Sequence, residues 1–330
     1  MEGEELLVYL MEKGSIPKRL QEILKRFLAD YISALKRIGK NESESVPLLK
    51  TYLDLVDSEI KEPYLFQPFH EKIVSPFNYY QFGLNLIRPL VNLDKSQVRG
   101  LEYLDQIESK LNRNENVILF SNHQTEPDPQ AICLLLEKTH PKLAENMIFV
   151  AGHRVTTDPL AIPLSKGLNL FCIYSKKRIE HPPEEKMKKL QHNQRTIQKM
   201  SDLLSEGGKC IWVAPSGGRD RADEKGKIQL SFFDPQSIEL FRLLKDKCRR
   251  PTHFYPLALS TYDLLPPPSS VDDELGEERL PKATPLFLFF GSELDLSSDE
   301  GSSIKTEIRK KRAEKIWNQI NSQYRALTEN

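Results

Sequence analysis

Residues Asn116 to Cys133 read NVILFSNHQTEPDPQAIC, placing His123, Glu126 and Asp128 directly behind an apolar run. A neutral histidine is the side chain best suited to take a proton from an alcohol near pH 7. A carboxylate on its other ring nitrogen fixes the tautomer and stabilises the imidazolium that forms. The four residues between His123 and Asp128 can fold in a turn and bring the two together. Asp128 also precedes Pro129 and the helical QAICLLLEK, so it reads as an N-cap with proline at the first helical position. Taken by itself Asp128 favours the cap, and the two roles are compatible because a carboxylate has two oxygens. His123 alone also reads as a satisfied polar residue at a strand end. A metal site ranks low, since no second histidine stands nearby at ligand spacing. Glu126 has no assigned role.

A second cluster is PSGGRDR, Pro215 to Arg221. Gly217 and Gly218 let the backbone approach an anion, and Arg219 and Arg221 point the same way if the segment between them is extended. The alternative is an exposed turn in which Asp220 and Asp223 pair with the arginines. Ser216 is no hydrolase nucleophile, because Ala214 stands where G-x-S-x-G has its first glycine. Direct attack by a substrate hydroxyl on an activated acyl group is then the simpler chemistry. Lys176, Lys177 and Arg178 would add charge for a dianion such as a phosphate monoester. They also read as a solvated run leading into EEKMKKL, the reading preferred for Lys176.

The elements that must position these residues show in the texture beyond Asn92. Short apolar runs NVILF, NMIFVAG, NLFCIY, KCIWVA, HFYPLAL and PLFLFF alternate with helical stretches at Gln130 to Lys138, Glu184 to Ser205 and Pro235 to Asp246. That alternation predicts an α/β fold with a mixed, largely parallel central sheet flanked by helices. Polar residues follow several runs directly: SNHQTEPD, GHRVTTD, SKKR, PSGGRDR and STYD. If those strands are parallel, one sheet edge collects His123, Asp128, Arg154, Lys176, Lys177, Arg178, Ser216, Arg219 and Arg221, where open α/β folds bind ligands. Ahead of this domain, apolar spacings of three and four predict helices over Ile16 to Ile38 and Val46 to Ile60. Residues 1–70 thus read as a small N-terminal helical bundle, residues 71–330 as the α/β domain, and PYLFQPF as the joint.

Composition narrows the function classes. The chain has 330 residues, 39% of them hydrophobic, enough for a sizeable core. Lys plus Arg and Asp plus Glu each number 47, so no overall field favours nucleic acid. MEGEELLVYLMEKG lacks the marks of a signal or transit peptide, and no apolar run reaches the roughly 18 to 20 residues of a membrane span. The expectation is a soluble, cytoplasmic protein, or an already processed form, with at most peripheral membrane contact. Cys133, Cys172, Cys210 and Cys248 are scattered singly and read as inert thiols.

HQTEPD resembles the H-x-x-x-x-D signature of glycerolipid acyltransferases. In combination, HQTEPDPQAI, AGHRVTTDPLAIPLSKGLNLFCIYSKKR, WVAPSGGRDR and FYPLALSTYDLLPPPS are similar to the soluble, plastid-type glycerol-3-phosphate 1-O-acyltransferases, over about residues 65 to 275. The resemblance implies transfer of a fatty acyl group from acyl carrier protein, or less preferentially coenzyme A, to the sn-1 hydroxyl of glycerol 3-phosphate, the first step of phospholipid synthesis. It implies His123 as general base and Asp128 as its orienting carboxylate. Lys177, Arg219 and Arg221 match phosphate-binding positions. Arg178 stands where plant members usually carry histidine, keeping the charge but not the ring. Arg154, Ser216 and Gly217 lie in matching blocks as further substrate-binding candidates, and Pro256 in the fourth block as a residue that shapes its strand. No metal or redox cofactor is implied. The acidic carrier protein calls for a basic docking face, for which RKKR at Arg309 to Arg312 and CRR at Cys248 to Arg250 are candidates.

Two rivals stand beside this reading. A noncatalytic lipid-phosphate or acyl-carrier binding protein would keep the basic pocket but have no use for a base. A thioesterase would use water as acceptor and need no phosphate clamp.

Overall fold

The computed structural model describes residues 2–268, 276–296 and 304–329, with side chains for all of these except Glu2 and Lys177. The chain opens with helices α1 (Glu2–Met11), α2 (Lys18–Arg37) and α3 (Val46–Lys61). The sequence reading assigned the second and third but not α1. In α2 the buried set Leu20, Leu24, Phe27, Leu28, Tyr31 and Leu35 forms one stripe, and the helix ends just before Gly39 at φ +68°.

Ten strands follow in chain order: β1 (Phe69–His70), β2 (Gln97–Arg99), β3 (Asn116–Ser121), β4 (Ile148–Gly152), β5 (Asn169–Ile173), β6 (Cys210–Val213), β7 (Arg221–Ala222), β8 (Ile228–Gln229), β9 (Thr252–Ser260) and β10 (Phe287–Phe290). β7 and β8 form a separate small hairpin, and the other eight make one sheet in the order β1-β5-β4-β6-β3-β9-β10-β2. The five strands from β5 to β9 in that order are mutually parallel, whereas β1 and β10 join antiparallel to β5 and β9. The fold is therefore α/β with a mixed, largely parallel sheet.

Between the strands run α4 (Tyr79–Ile87), α5 (Leu101–Asn112), α6 (Asp128–Leu136), α7 (Pro141–Asn146), α8 (Ile162–Ser165), α9 (Lys176–Ile179), α10 (Lys186–Glu206) and α11 (Pro235–Lys247), with α12 (Lys305–Thr328) after β10. β3 is buried at every position, and its side chains alternate between two apolar clusters. Val117 and Leu119 join the layer of α4, α6 and the N-terminal helices. Ile118 and Phe120 join the layer of α10, α11 and α12. That two-sided burial is why the strand reads as a continuous apolar run. Tyr31 and Tyr52 of α2 and α3 belong to the first of these clusters, so the N-terminal helices share the sheet's own core.

Cys133, Cys172 and Cys210 are buried free thiols, their pKa values pushed up to about 12 by burial. Arg309 and Arg312 turn inward to Glu239 of α11, at 3.6 and 3.0 Å, and brace α12. That leaves Lys310 and Lys311 as the exposed part of RKKR, with Arg249 and Arg250 exposed elsewhere. Among the described residues no helix is long and apolar enough to cross a membrane.

Candidate active site

The parallel strands deliver their polar ends to one edge. A cavity of about 510 Å³ opens there, lined by His123 after β3, Arg154 after β4, Arg178 in α9, and Gly217, Arg219 and Arg221 after β6. Its other wall is apolar, formed by Val150, Ile197, Met200, Val213, Leu240 and Phe241 between the sheet and α10 and α11.

His123 Nδ1 lies 2.8 Å from Asp128 Oδ2, and the imidazole side chain is 25% exposed while the carboxylate is fully buried. With Nδ1 on the carboxylate, Nε2 is the ring nitrogen offered to a substrate. Asp128 opens α6, but Pro127 occupies the cap position and α6 has no side-chain cap. The carboxylate instead turns back into the preceding turn, accepting from Gln124 N at 2.7 Å, Thr125 N at 3.2 Å and Thr261 Oγ1 at 2.5 Å. The cap expectation thus gives way to a stronger local demand, since these donors and the imidazole share one buried carboxylate.

The turn is tied to β9 as firmly as to α6. The Asn122 amide exchanges hydrogen bonds with the Leu259 backbone at 2.8 and 3.0 Å, and Gln124 Oε1 accepts from Thr261 N and Tyr262 N. Asp220 N donates to the His123 carbonyl at 2.6 Å, while the Asp220 carboxylate accepts from Asn122 Nδ2 and Ser231 N. Asp220 is therefore no surface partner for Arg219 or Arg221. Burial pushes its pKa up to about 6.

The arginines are held differently. Arg219 pairs with Glu277 through Nη2, one oxygen at 2.6 Å, and Arg154 Nε lies 4.0 Å from the same carboxylate. Arg221 donates to the Pro268 carbonyl, and burial together with Arg219 holds its pKa down. Behind them Arg279 bridges Glu126 at 2.9 Å and Asp158 at 3.1 Å. Burial opposes its charge, but the two carboxylates outweigh that and raise its pKa. Glu126 thereby gains the role that the sequence reading left open: it anchors a buried arginine.

Other sequence candidates are placed less centrally. Gly217, at φ +65°, supplies a left-handed turn beside the cavity, whereas the Ser216 hydroxyl donates to the Gly218 carbonyl and is not part of the lining. Lys176 forms a 2.9 Å ion pair with Asp234 and is largely exposed, as the preferred solvated reading has it. Lys177 has its backbone in α9, and its side chain lies outside the described residues. Pro256 sits opposite Phe120 in the β3–β9 ladder. His153 also lines the cavity, but burial lowers its pKa to about 4 and keeps it neutral.

Sequence reasoning missed Thr261, Asn122, Gln124, Glu277, Arg279 and Asp158. A half-buried carboxylate with no side-chain partner in its own turn, Glu126, is what the distant arginine takes up.

Residues 95–260 match the acyltransferase family model, centred on this sheet edge. The chain belongs to the acyltransferase family. It is 38% identical over 320 residues to a chloroplastic glycerol-3-phosphate acyltransferase of Spinacia oleracea, covering 96% of this chain and 68% of that protein. The chloroplastic glycerol-3-phosphate acyltransferase ATS11 of Cucurbita moschata is 42% identical over 283 residues, covering 84% of this chain and 63% of that one. This acyltransferase chain thus spans about two thirds of the length of these plastid relatives. A 1-acyl-sn-glycerophosphate acyltransferase structure from Thermotoga maritima overlays 97% of this chain and 96% of its own at 14% identity, with a TM-score of 0.39.

Proposed function

We propose that this acyltransferase moves a fatty acyl group from an acyl carrier protein or coenzyme A thioester to the sn-1 hydroxyl of glycerol 3-phosphate. The product is 1-acyl-glycerol 3-phosphate, the entry to phospholipid synthesis. The observation that carries the proposal is a single cavity shared by an oriented histidine, a set of arginines and an apolar wall. Those three features fit the three parts of the reaction: a hydroxyl to deprotonate, a phosphate to hold and an acyl chain to bury.

In the mechanism, Arg219 and Arg221, with Arg154 and Arg178 around them, hold the phosphate and set the sn-1 hydroxyl against His123 Nε2, a binding role that the family resemblance extends to Lys177. His123 takes the proton as the oxygen attacks the thioester carbonyl carbon. Asp128 stabilises the imidazolium formed. When the tetrahedral intermediate collapses, the C–S bond breaks and the imidazolium returns the proton to the departing thiolate. The acyl chain lies along Val213, Met200 and Phe241. Exposed Arg249, Arg250 and Lys310 are basic groups that an acidic carrier could dock on.

The test is an acyl-transfer assay with a panel of carrier-protein and coenzyme A thioesters, following free thiol release with and without glycerol 3-phosphate. Acceptor-dependent release with formation of the monoacyl product is expected. An equal rate in both, with free fatty acid as sole product, would sink the transferase in favour of a thioesterase.

A further inference from the structure

Glu277 is a buried group in the cavity that the transfer mechanism does not use. It is 4% exposed, lines the cavity, and places both carboxylate oxygens on Arg219 with Arg154 alongside. Two oxygens on one guanidinium reproduce the contact that a phosphate would make there. The backbone beneath it is pinned from several directions. Gly276 N donates to Asp158 Oδ2 at 3.1 Å, and Arg279 Nη1 donates to the Glu277 carbonyl at 2.8 Å. Gly276 itself, at φ +84°, lies so close to α2 that a Cβ there would meet Leu20 Cδ2 at 2.3 Å. The side chain, by contrast, reaches Arg219 through rotatable bonds, so it can withdraw while its main chain stays in place.

We propose that Glu277 is an internal competitor for the acceptor's phosphate, occupying the arginine pocket when no acceptor is bound and leaving it when one is. The proposal rests on the assignment of Arg219 and Arg154 to the phosphate of glycerol 3-phosphate. In the empty site Glu277 spares a largely buried guanidinium from standing unpaired. On binding, a dianion with three oxygens replaces a monoanion with two. The apparent acceptor affinity is then the intrinsic affinity reduced by the fraction of molecules in which Glu277 has withdrawn. Glu277 thereby sets the acceptor concentration at which the enzyme half-saturates, without touching the reacting atoms.

Glu277→Gln tests this by keeping the shape and removing the charge. The expected result is a fall of about fivefold in the KM for glycerol 3-phosphate, matched by a similar fall in the inhibition constant for inorganic phosphate, with the KM for the acyl thioester unchanged. If the variant does not fold, as judged by circular dichroism and melting, Glu277→Asp retracts the carboxylate by one methylene and must shift both constants in the same direction. A rise or no change in either constant, in a folded variant, overturns the proposal and leaves Glu277 as a brace for Arg219. Wild-type protein that neither acylates glycerol 3-phosphate nor is inhibited by inorganic phosphate would instead overturn the acceptor assignment itself.

Discussion

The His123 turn and the arginine pocket share one cavity but are built on opposite principles. Around His123 most polar groups of the turn are taken up by fixed partners, drawn from residues 121–128, Asp220 and the segment at the end of β9, with the buried Gln124 Nε2 an exception. Around Arg219 the partner is a side chain from a distant segment, and it makes the contact that an anionic ligand would make. Proton transfer needs an imidazole held within a few tenths of an ångström, so the turn is over-determined. An anion site must stay stable while empty, and the proposed exchange of Glu277 would supply that counter-charge.

That contrast can be broken by substitution, starting where the effect is largest. His123→Ala should lower kcat on the order of 10³-fold with only a modest change in melting temperature, because the ring is partly exposed and Asp128 keeps Gln124, Thr125 and Thr261 as donors. Unchanged acyl transfer would exclude His123 as the base. Asp128→Asn should lower kcat on the order of 10²-fold and also reduce unfolding free energy by about 1–3 kcal/mol in urea titrations, since the same carboxylate holds Gln124, Thr125 and Thr261. Activity lost without stability would show that the turn is less tightly tied than the bonds indicate.

On the pocket side, Arg219→Ser should raise the KM for glycerol 3-phosphate by about 10- to 100-fold and leave that for the thioester nearly alone. An equal rise in both would point to a folding defect. A stability measurement sharpens the comparison through pH. Asp220, which ties the arginine loop to the catalytic turn, keeps its proton up to about pH 6 in the folded chain, against about pH 4 when unfolded. Its contribution to stability is therefore complete below about pH 4 and fades as pH rises through 6. The stability gap between wild type and Asp220→Ala should narrow by up to roughly 3 kcal/mol between pH 4 and pH 7. A gap independent of pH would mean that Asp220 is ionised throughout.

Much of the catalytic half was legible in the sequence because its parts are local. His123 and Asp128 lie within one turn, and the apolar runs before each polar segment place the parallel strands. The arginines of PSGGRDR were legible as a pair for the same reason. What balances them was not. Glu277 and Arg279 reach the site from beyond β9, and no periodicity links GEER to HQTEPD. Only three-dimensional closure pairs Glu126 with Arg279 across 153 positions. The Asp128 cap was misjudged because capping propensity describes an isolated helix end, and here the turn offered the carboxylate better donors. Arg309 and Arg312 read as a surface run, yet a buried glutamate on a neighbouring helix drew them inward.

If Glu277 competes for the acceptor's phosphate as proposed, the close approach of Gly276 to Leu20 would give the N-terminal helices a part in acceptor recognition. Leu20 of α2 acts as a shim beneath the turn that carries Glu277 and Arg279, and Arg26 fastens the next residue, Glu278, at 2.7 Å. A change in thickness on that face of α2 tilts the counter-charge relative to Arg219. On that reading the acyltransferase could be retuned for acceptor concentration from α2, with the contacts around His123 left as they are.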